Sequence, residues 1–190
     1  ARLGPLPAAD SRALSAHKLG GPQGAGALVL APGRHVPPLL AGGGQERGRR
    51  GGTEPLPALA GFGAVAGAAY DVARIAALRD AIEAGVREIA PEAVIAGAAA
   101  PRLPNTSLIV LPGVPAETQV IALDLAGVRV SAGAACSSGK VARSHVLEAM
   151  GFGAEAGSGI RVSLPWNAPE DAAARFLEAY GAMVRRLRRG

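Results

Sequence analysis

A lysine at the mouth of a glycine-rich turn is the first place where this sequence could do chemistry. Ser15, Ala16, His17 and Lys18 are followed by Leu19, Gly20, Gly21, Pro22, Gln23, Gly24, Ala25 and Gly26, and then by an apolar run. Glycines let backbone pass close to a ligand. The Ser15 hydroxyl and the His17 imidazole stand beside the amine, and both can donate to a phosphate. An amine next to phosphate donors suits pyridoxal phosphate, which needs a lysine for its aldehyde and fixed donors for its phosphate. On local chemistry alone, a lysine before a Gly/Pro turn is more often a solvated turn residue. The stretch is not a P-loop, because no Gly-Lys-Ser/Thr ends it. Nor is it a dinucleotide fingerprint, because its glycines lead into a strand.

A cysteine segment is the second reactive feature. Ser131, Ala132, Gly133, Ala134 and Ala135 precede Cys136, and Ser137, Ser138, Gly139 and Lys140 follow it. Small neighbours leave the sulfur sterically open, and the serines and Lys140 make its surroundings polar and locally cationic, which favours thiolate. The alternative is that of most lone cysteines, a small buried hydrophobe. A zinc site is not indicated, since the chain has 1 Cys and its 3 His are scattered.

These groups need elements to position them. The chain has 190 residues, enough for one or two small domains. Hydrophobics make up 49% but aromatics only 3%, so the core must be built from Ala, Val, Leu and Ile. No run approaches the ~18 apolar residues of a membrane span, and no membrane partner is expected. The single cysteine excludes an internal disulfide framework and fits a reducing compartment, so a cytoplasmic location is expected. The formal charge of +5 raises nucleic acid as a partner. The excess sits at Arg47, Arg49 and Arg50 and in the arginine tail from Arg185. The first cluster is short, unrepeated and lacks interleaved aromatics, and the tail reads as a solvated helix end, so nucleic acid is not favoured.

Periodicity supplies the elements. Residues 27–30 read as a buried strand, and 42–52 as a loop without periodicity. A helix-compatible stretch begins near Pro57. A clearer helix carries Val72, Ile75, Leu78, Ile82, Val86 and Ile89 until Pro91 stops it. Short strands are predicted at 94–95, 108–111, 128–131 and 160–164. Pro115 opens a helix, Ser144 caps another, and Asn167 with Glu170 is predicted to cap the last. Strands alternating with helices from about residue 70 make one α/β unit, an α+β small domain at 71–190. Residues 1–70 read as a remnant of another domain.

Taken in order, these motifs resemble the cysteine desulfurases of the class V aminotransferase family. The resemblance rests on Ser15 to Lys18 with Gly21 to Gly24, on Gly42 to Thr53, on Ser131 to Ser138 and on Gly159 to Leu164. The cysteine segment is similar to that of the group with a long cysteine loop, which serves iron–sulfur assembly and tRNA thiolation. The resemblance implies the C-terminal part of a pyridoxal phosphate enzyme of fold type I. Residues 1–70 would be the end of its large domain and 71–190 its small domain.

Roles follow from the resemblance residue by residue. Lys18 would form the Schiff base with pyridoxal 5'-phosphate, and Ser15 and His17 would bind the phosphate. Thr53 would reach the phosphate of a neighbouring subunit, which implies a homodimer. Arg161 would grip the carboxylate of L-cysteine, and Cys136 would take sulfur as a persulfide for an iron–sulfur scaffold or another acceptor. A shared iron–sulfur ligand role for Cys136 is also implied. Ala132 and Ala134 stand where serines are commoner. In the family the residues that clamp the cofactor ring lie upstream of the lysine, so weak cofactor binding and no turnover are expected of these 190 residues alone. Two alternatives stay open: a selenocysteine lyase or other class V member, and a non-catalytic basic RNA-binding module.

Overall fold

In the computed structural model, which describes residues 8–68, 70–132 and 143–188, contacts fall into two units, Ala1–Tyr70 and Asp71–Gly190. In the first unit, β1 (Ser11–Ser15) pairs antiparallel with β2 (Gly26–Leu30), with Ser15 opposite Gly26 and Ser11 opposite Leu30. A 3-10 turn, Ala16–Leu19, leaves β1 and is closed by Gly20 in the left-handed region at φ 87°. Glycine adopts that conformation without the Cβ clash other residues meet. Further on, α1 spans Leu56–Gly67.

The expected strand at 27–30 exists, but it is not buried: Leu28 is 56% and Val29 46% exposed. Among the described residues its only strand partner is β1, and a two-stranded ribbon by itself leaves its faces open. Among the described residues of this unit, only Ala16 and Ala25 are buried apolar side chains. The α1 helix is apolar on all sides, yet none of its residues is buried. The stretch 42–52 is also more ordered than its lack of periodicity suggested. A short helical turn, Gln45–Gly48, carries Glu46 and Arg47 at positive φ, and the Gly51 N–H closes the loop on the Leu40 carbonyl at 2.7 Å.

The second unit begins with a cap: the Asp71 side chain accepts from the Arg74 N–H at 2.9 Å and opens α2, Val72–Ile89. Ile75, Ile82 and Val86 lie on one face at spacings of seven and four and are buried. Against them packs α5, Ala172–Leu187, through Phe176, Tyr180, Met183 and Val184. The Phe176 and Tyr180 rings stack with centroids 5.6 Å apart, a contact worth about 0.5–1.5 kcal/mol beyond the area it buries. Burial pushes the Tyr180 phenol up to about 12.

These helices cover a four-stranded antiparallel sheet in the order β3 (Val94–Ile95), β4 (Thr106–Val110), β6 (Gly159–Ser163), β5 (Ser131–Ala132). Alternation along the strands divides the faces. Ile109, Ile160 and Val162 enter the main core with Ile82, Val86 and Tyr180. On the opposite face, Val110 joins a smaller cluster with Ala96, Leu147 and Ala156, with Leu108 and Phe152 against it. That cluster lies under α4, His145–Ala149, whose N-cap Ser144 Oγ accepts from the Leu147 N–H at 3.3 Å. The remaining helix, α3, is Ala116–Leu125.

Two predicted boundaries shift. Pairing in β5 starts at Ser131 rather than 128, because the Val128 N–H is taken by the Leu123 carbonyl at the end of α3, at 2.8 Å. Asn167 does not cap α5, which starts at Ala172 behind Asp171. The carbonyls of Trp166 and Ala168 are instead held by the Arg74 guanidinium at 3.1 and 2.7 Å, so this stretch is a pinned turn.

Candidate active site

The 3-10 turn brings Ser15, His17 and Lys18 together at the end of β1. The Ser15 Oγ lies 2.8 Å from the His17 Nδ1. One hydrogen is consumed between them and one remains: either the His17 Nε2–H or the Ser15 O–H is left to donate outward. Lys18, exposed, follows on the same turn. This donor set fits a phosphate beside an amine, and so fits pyridoxal phosphate.

The turn is fixed from below. The Ala16 N–H bonds the Ala25 carbonyl at 3.1 Å, and the Gly21 N–H returns to the Ala16 carbonyl at 2.9 Å. A Cβ on Gly21 would meet the Val65 Cγ2 at 2.9 Å, and one on Gly61 would meet the Pro22 ring at 2.8 Å. Thus α1 lies directly against the glycine turn that follows Lys18. Thr53 is exposed just ahead of α1, on a loop separate from the lysine turn.

Arg161 belongs to the second unit. It sits at the centre of β6, half-buried, opposite Leu108 on one side and Ser131 on the other. Its neighbours Ile160 and Val162 point into the main core, so its guanidinium lies on the opposite face. On that face α4 covers the Gly159 end, where a Cβ would strike the Leu147 Cδ1. Cross-strand partners share a face, so Arg161 and Ser131 are neighbours, one residue before Ala132 ends β5. Cys136 and Lys140 lie outside the described residues. Arg143 binds Glu148 at 2.9 Å, and the Ser144 N–H bonds the Ala156 carbonyl at 2.9 Å.

Three residues make supporting contacts that had no signal in the sequence. The Tyr70 hydroxyl donates to the Leu19 carbonyl at 3.1 Å, across 51 positions. The Asn105 Nδ2 donates to the Leu164 carbonyl at 3.2 Å and holds the end of β6. The buried Gln119 Nε2 joins the Val114 and Ser158 carbonyls, both at 2.9 Å, and fixes the start of β6. No group of three or more His, Cys, Asp or Glu able to hold a metal is found among the described residues. No single helix among them is long and apolar enough to cross a membrane.

Residues 8–176 match the family described as Aminotransferase class-V. A cysteine desulfurase from Cereibacter sphaeroides is 42% identical over 182 residues, covering 94% of this chain and 47% of that protein. The X-ray structure of a NifS-like protein from Rickettsia africae superposes with a TM-score of 0.78 at 34% identity, over 92% of this chain and 47% of that one. The structure of SspA in complex with cysteine gives a TM-score of 0.62 at 32% identity, over 82% of this chain and 44% of that one. The chain therefore spans about half the length of the curated relatives it matches.

Proposed function

Because this chain belongs to the class V aminotransferase family, we propose that it is the lysine- and cysteine-bearing part of a cysteine desulfurase. The enzyme removes sulfur from L-cysteine, leaving L-alanine and a persulfide on Cys136. The observation that carries this reading is the pairing of Ser15 with His17 at 2.8 Å on the turn that presents Lys18.

Ser15 and His17 would hold the cofactor phosphate, and Lys18 would supply the amine for its aldehyde. Pyridoxal phosphate, when bound, supplies an electron sink for the substrate carbon that loses sulfur. The Lys18 Nζ would move the proton at the substrate α-carbon, next to the carbon that loses sulfur. The Arg161 guanidinium grips the substrate carboxylate, a task its planar fork performs better than an ammonium would. The Cys136 thiolate attacks the substrate sulfur, so a sulfur–sulfur bond forms as the carbon–sulfur bond breaks. The carbon accepts a proton and leaves as alanine, and no outside oxidant or reductant is needed. The persulfide then passes to an iron–sulfur scaffold or another acceptor, and a shared iron–sulfur ligand role for Cys136 belongs to the same proposal. Thr53 serves the phosphate of a second subunit in a homodimer.

The test is borohydride reduction of the full-length protein loaded with pyridoxal phosphate, followed by peptide mapping. The pyridoxyl label is expected on Lys18. A label on Lys140, the other lysine of these 190 residues, or on any other lysine of the full-length protein overturns the assignment.

A further inference from the structure

Lys18 stands on a short support. Four residues of 3-10 turn carry it, and such turns leave their last carbonyls without partners inside the turn. Within the turn, Gly20 and Gly21 return N–H groups to the carbonyls of Ala16 and His17. The Leu19 carbonyl, next to Lys18, is taken by the Tyr70 hydroxyl at 3.1 Å. Tyr70 follows α1 by three residues, and α1 already touches the turn at Gly21 through Val65 and at Pro22 through Gly61. The helix and the tyrosine beyond it therefore hold the lysine turn at three points. This explains a helix that buries none of its own residues yet lies within van der Waals contact of the turn.

We propose that Tyr70 is a positioning residue for Lys18: its hydroxyl, donated to the Leu19 carbonyl, fixes the turn from which the amine reaches its ligand. The inference rests on the reading of Lys18 as the cofactor lysine. In this role Tyr70 acts through the backbone beside Lys18.

Tyr70→Phe removes the hydroxyl and keeps the ring. Losing one hydrogen bond between neutral groups loosens the turn by about two- to tenfold. Three readouts are expected in the full-length protein. Hydrogen exchange at the Gly21 amide, which reports the turn directly, speeds up by that factor. Borohydride labelling of Lys18 at a limiting pyridoxal phosphate concentration falls in parallel. With saturating cofactor, kcat for alanine release drops while KM for L-cysteine, set at Arg161, stays at the wild-type value. A merely structural role would not separate kcat from KM. Gly61→Ala, which pushes on Pro22 from α1, is expected to shift the same readouts in the same direction and carries the test if Tyr70→Phe does not fold. Wild-type exchange, labelling and kcat in the folded variants overturn the positioning role. Absence of label on Lys18 in the wild-type protein instead overturns the cofactor reading, so the two failures are distinct.

Discussion

Removing Arg102 should destabilise the second unit through a single buried carboxylate. Glu83 lies on α2 with its side chain only 5% exposed, and Arg102 approaches from the following loop. The guanidinium spans both carboxylate oxygens, at 2.6 and 3.0 Å. Burial would push the Glu83 carboxyl up, but the Arg102 hydrogen bonds and charge, with Arg79 nearby, outweigh it and hold the carboxyl below its ordinary value. Breaking a buried ion pair by removing one partner costs about 3–5 kcal/mol. Here Arg79 at 4.0 Å and Arg87 at 3.8 Å remain, and Arg102 is itself partly in solvent. The expected cost of Arg102→Ala is therefore about 2–3 kcal/mol, below that range. The sign with pH follows from the lowered carboxyl. Its contribution is full above the unfolded pKa of ~4.3 and is lost as pH falls through the folded value below that. Urea unfolding followed by circular dichroism should show the full gap between wild type and variant at pH 7 and a shrinking gap below about pH 4. Replacing both partners, Glu83→Gln with Arg102→Met, should recover most of the loss, since no charge is then stranded. A gap under about 0.5 kcal/mol at pH 7, or one unchanged from pH 7 to pH 3, would refute this account of the cluster.

Arg161→Ala in the full-length protein should weaken L-cysteine binding by one to two decades, the range for losing a charge-assisted pair of about 1.5–3 kcal/mol. An unchanged apparent affinity in a substrate titration would mean that the guanidinium faces another partner. Limited trypsin digestion of the 190-residue chain should cut first at Arg47, Arg49 or Arg50 and leave a resistant fragment that begins between residues 48 and 51 and contains α2 to α5. Among its described residues the first unit buries two apolar side chains, Ala16 and Ala25, while Leu39 stands 98% exposed. Cleavage within α2 at comparable rates would contradict that difference in stability.

What could be read from the sequence depended on how local the cause was. The α2 helix was legible because Val72, Ile75, Ile82, Val86 and Ile89 repeat at helical spacing and Ala90 and Pro91 follow. The Ser15, His17 and Lys18 cluster was legible because its members are neighbours in the chain. β1 was not, because Ser11–Ser15 is five residues long with polar ends and is stabilised by pairing with β2. Asn167 and Glu170 offered a local cap, but Arg74, more than ninety positions away, took the backbone of that turn instead. The support of Lys18 by Tyr70, the fork of Arg102 on Glu83 and the placement of Arg161 beside Ser131 all depend on distant segments. None of these leaves a periodicity to detect. The exposure of Leu28 and Val29 escaped notice for a related reason: an apolar strand looks the same in sequence whether or not a second layer covers it.

The central claim, that Cys136 takes sulfur from L-cysteine, is tested most directly by following the sulfur. The full-length protein, loaded with pyridoxal phosphate, is mixed with sulfur-labelled L-cysteine without added thiol, digested under non-reducing conditions and mapped. The account predicts one labelled sulfur on the peptide containing Cys136, removable by reductant, with one alanine released per label. It also predicts that Cys136→Ser retains the cofactor's visible band but neither acquires the label nor releases alanine. Alanine release at the wild-type rate from Cys136→Ser, or label on a different peptide, would contradict it.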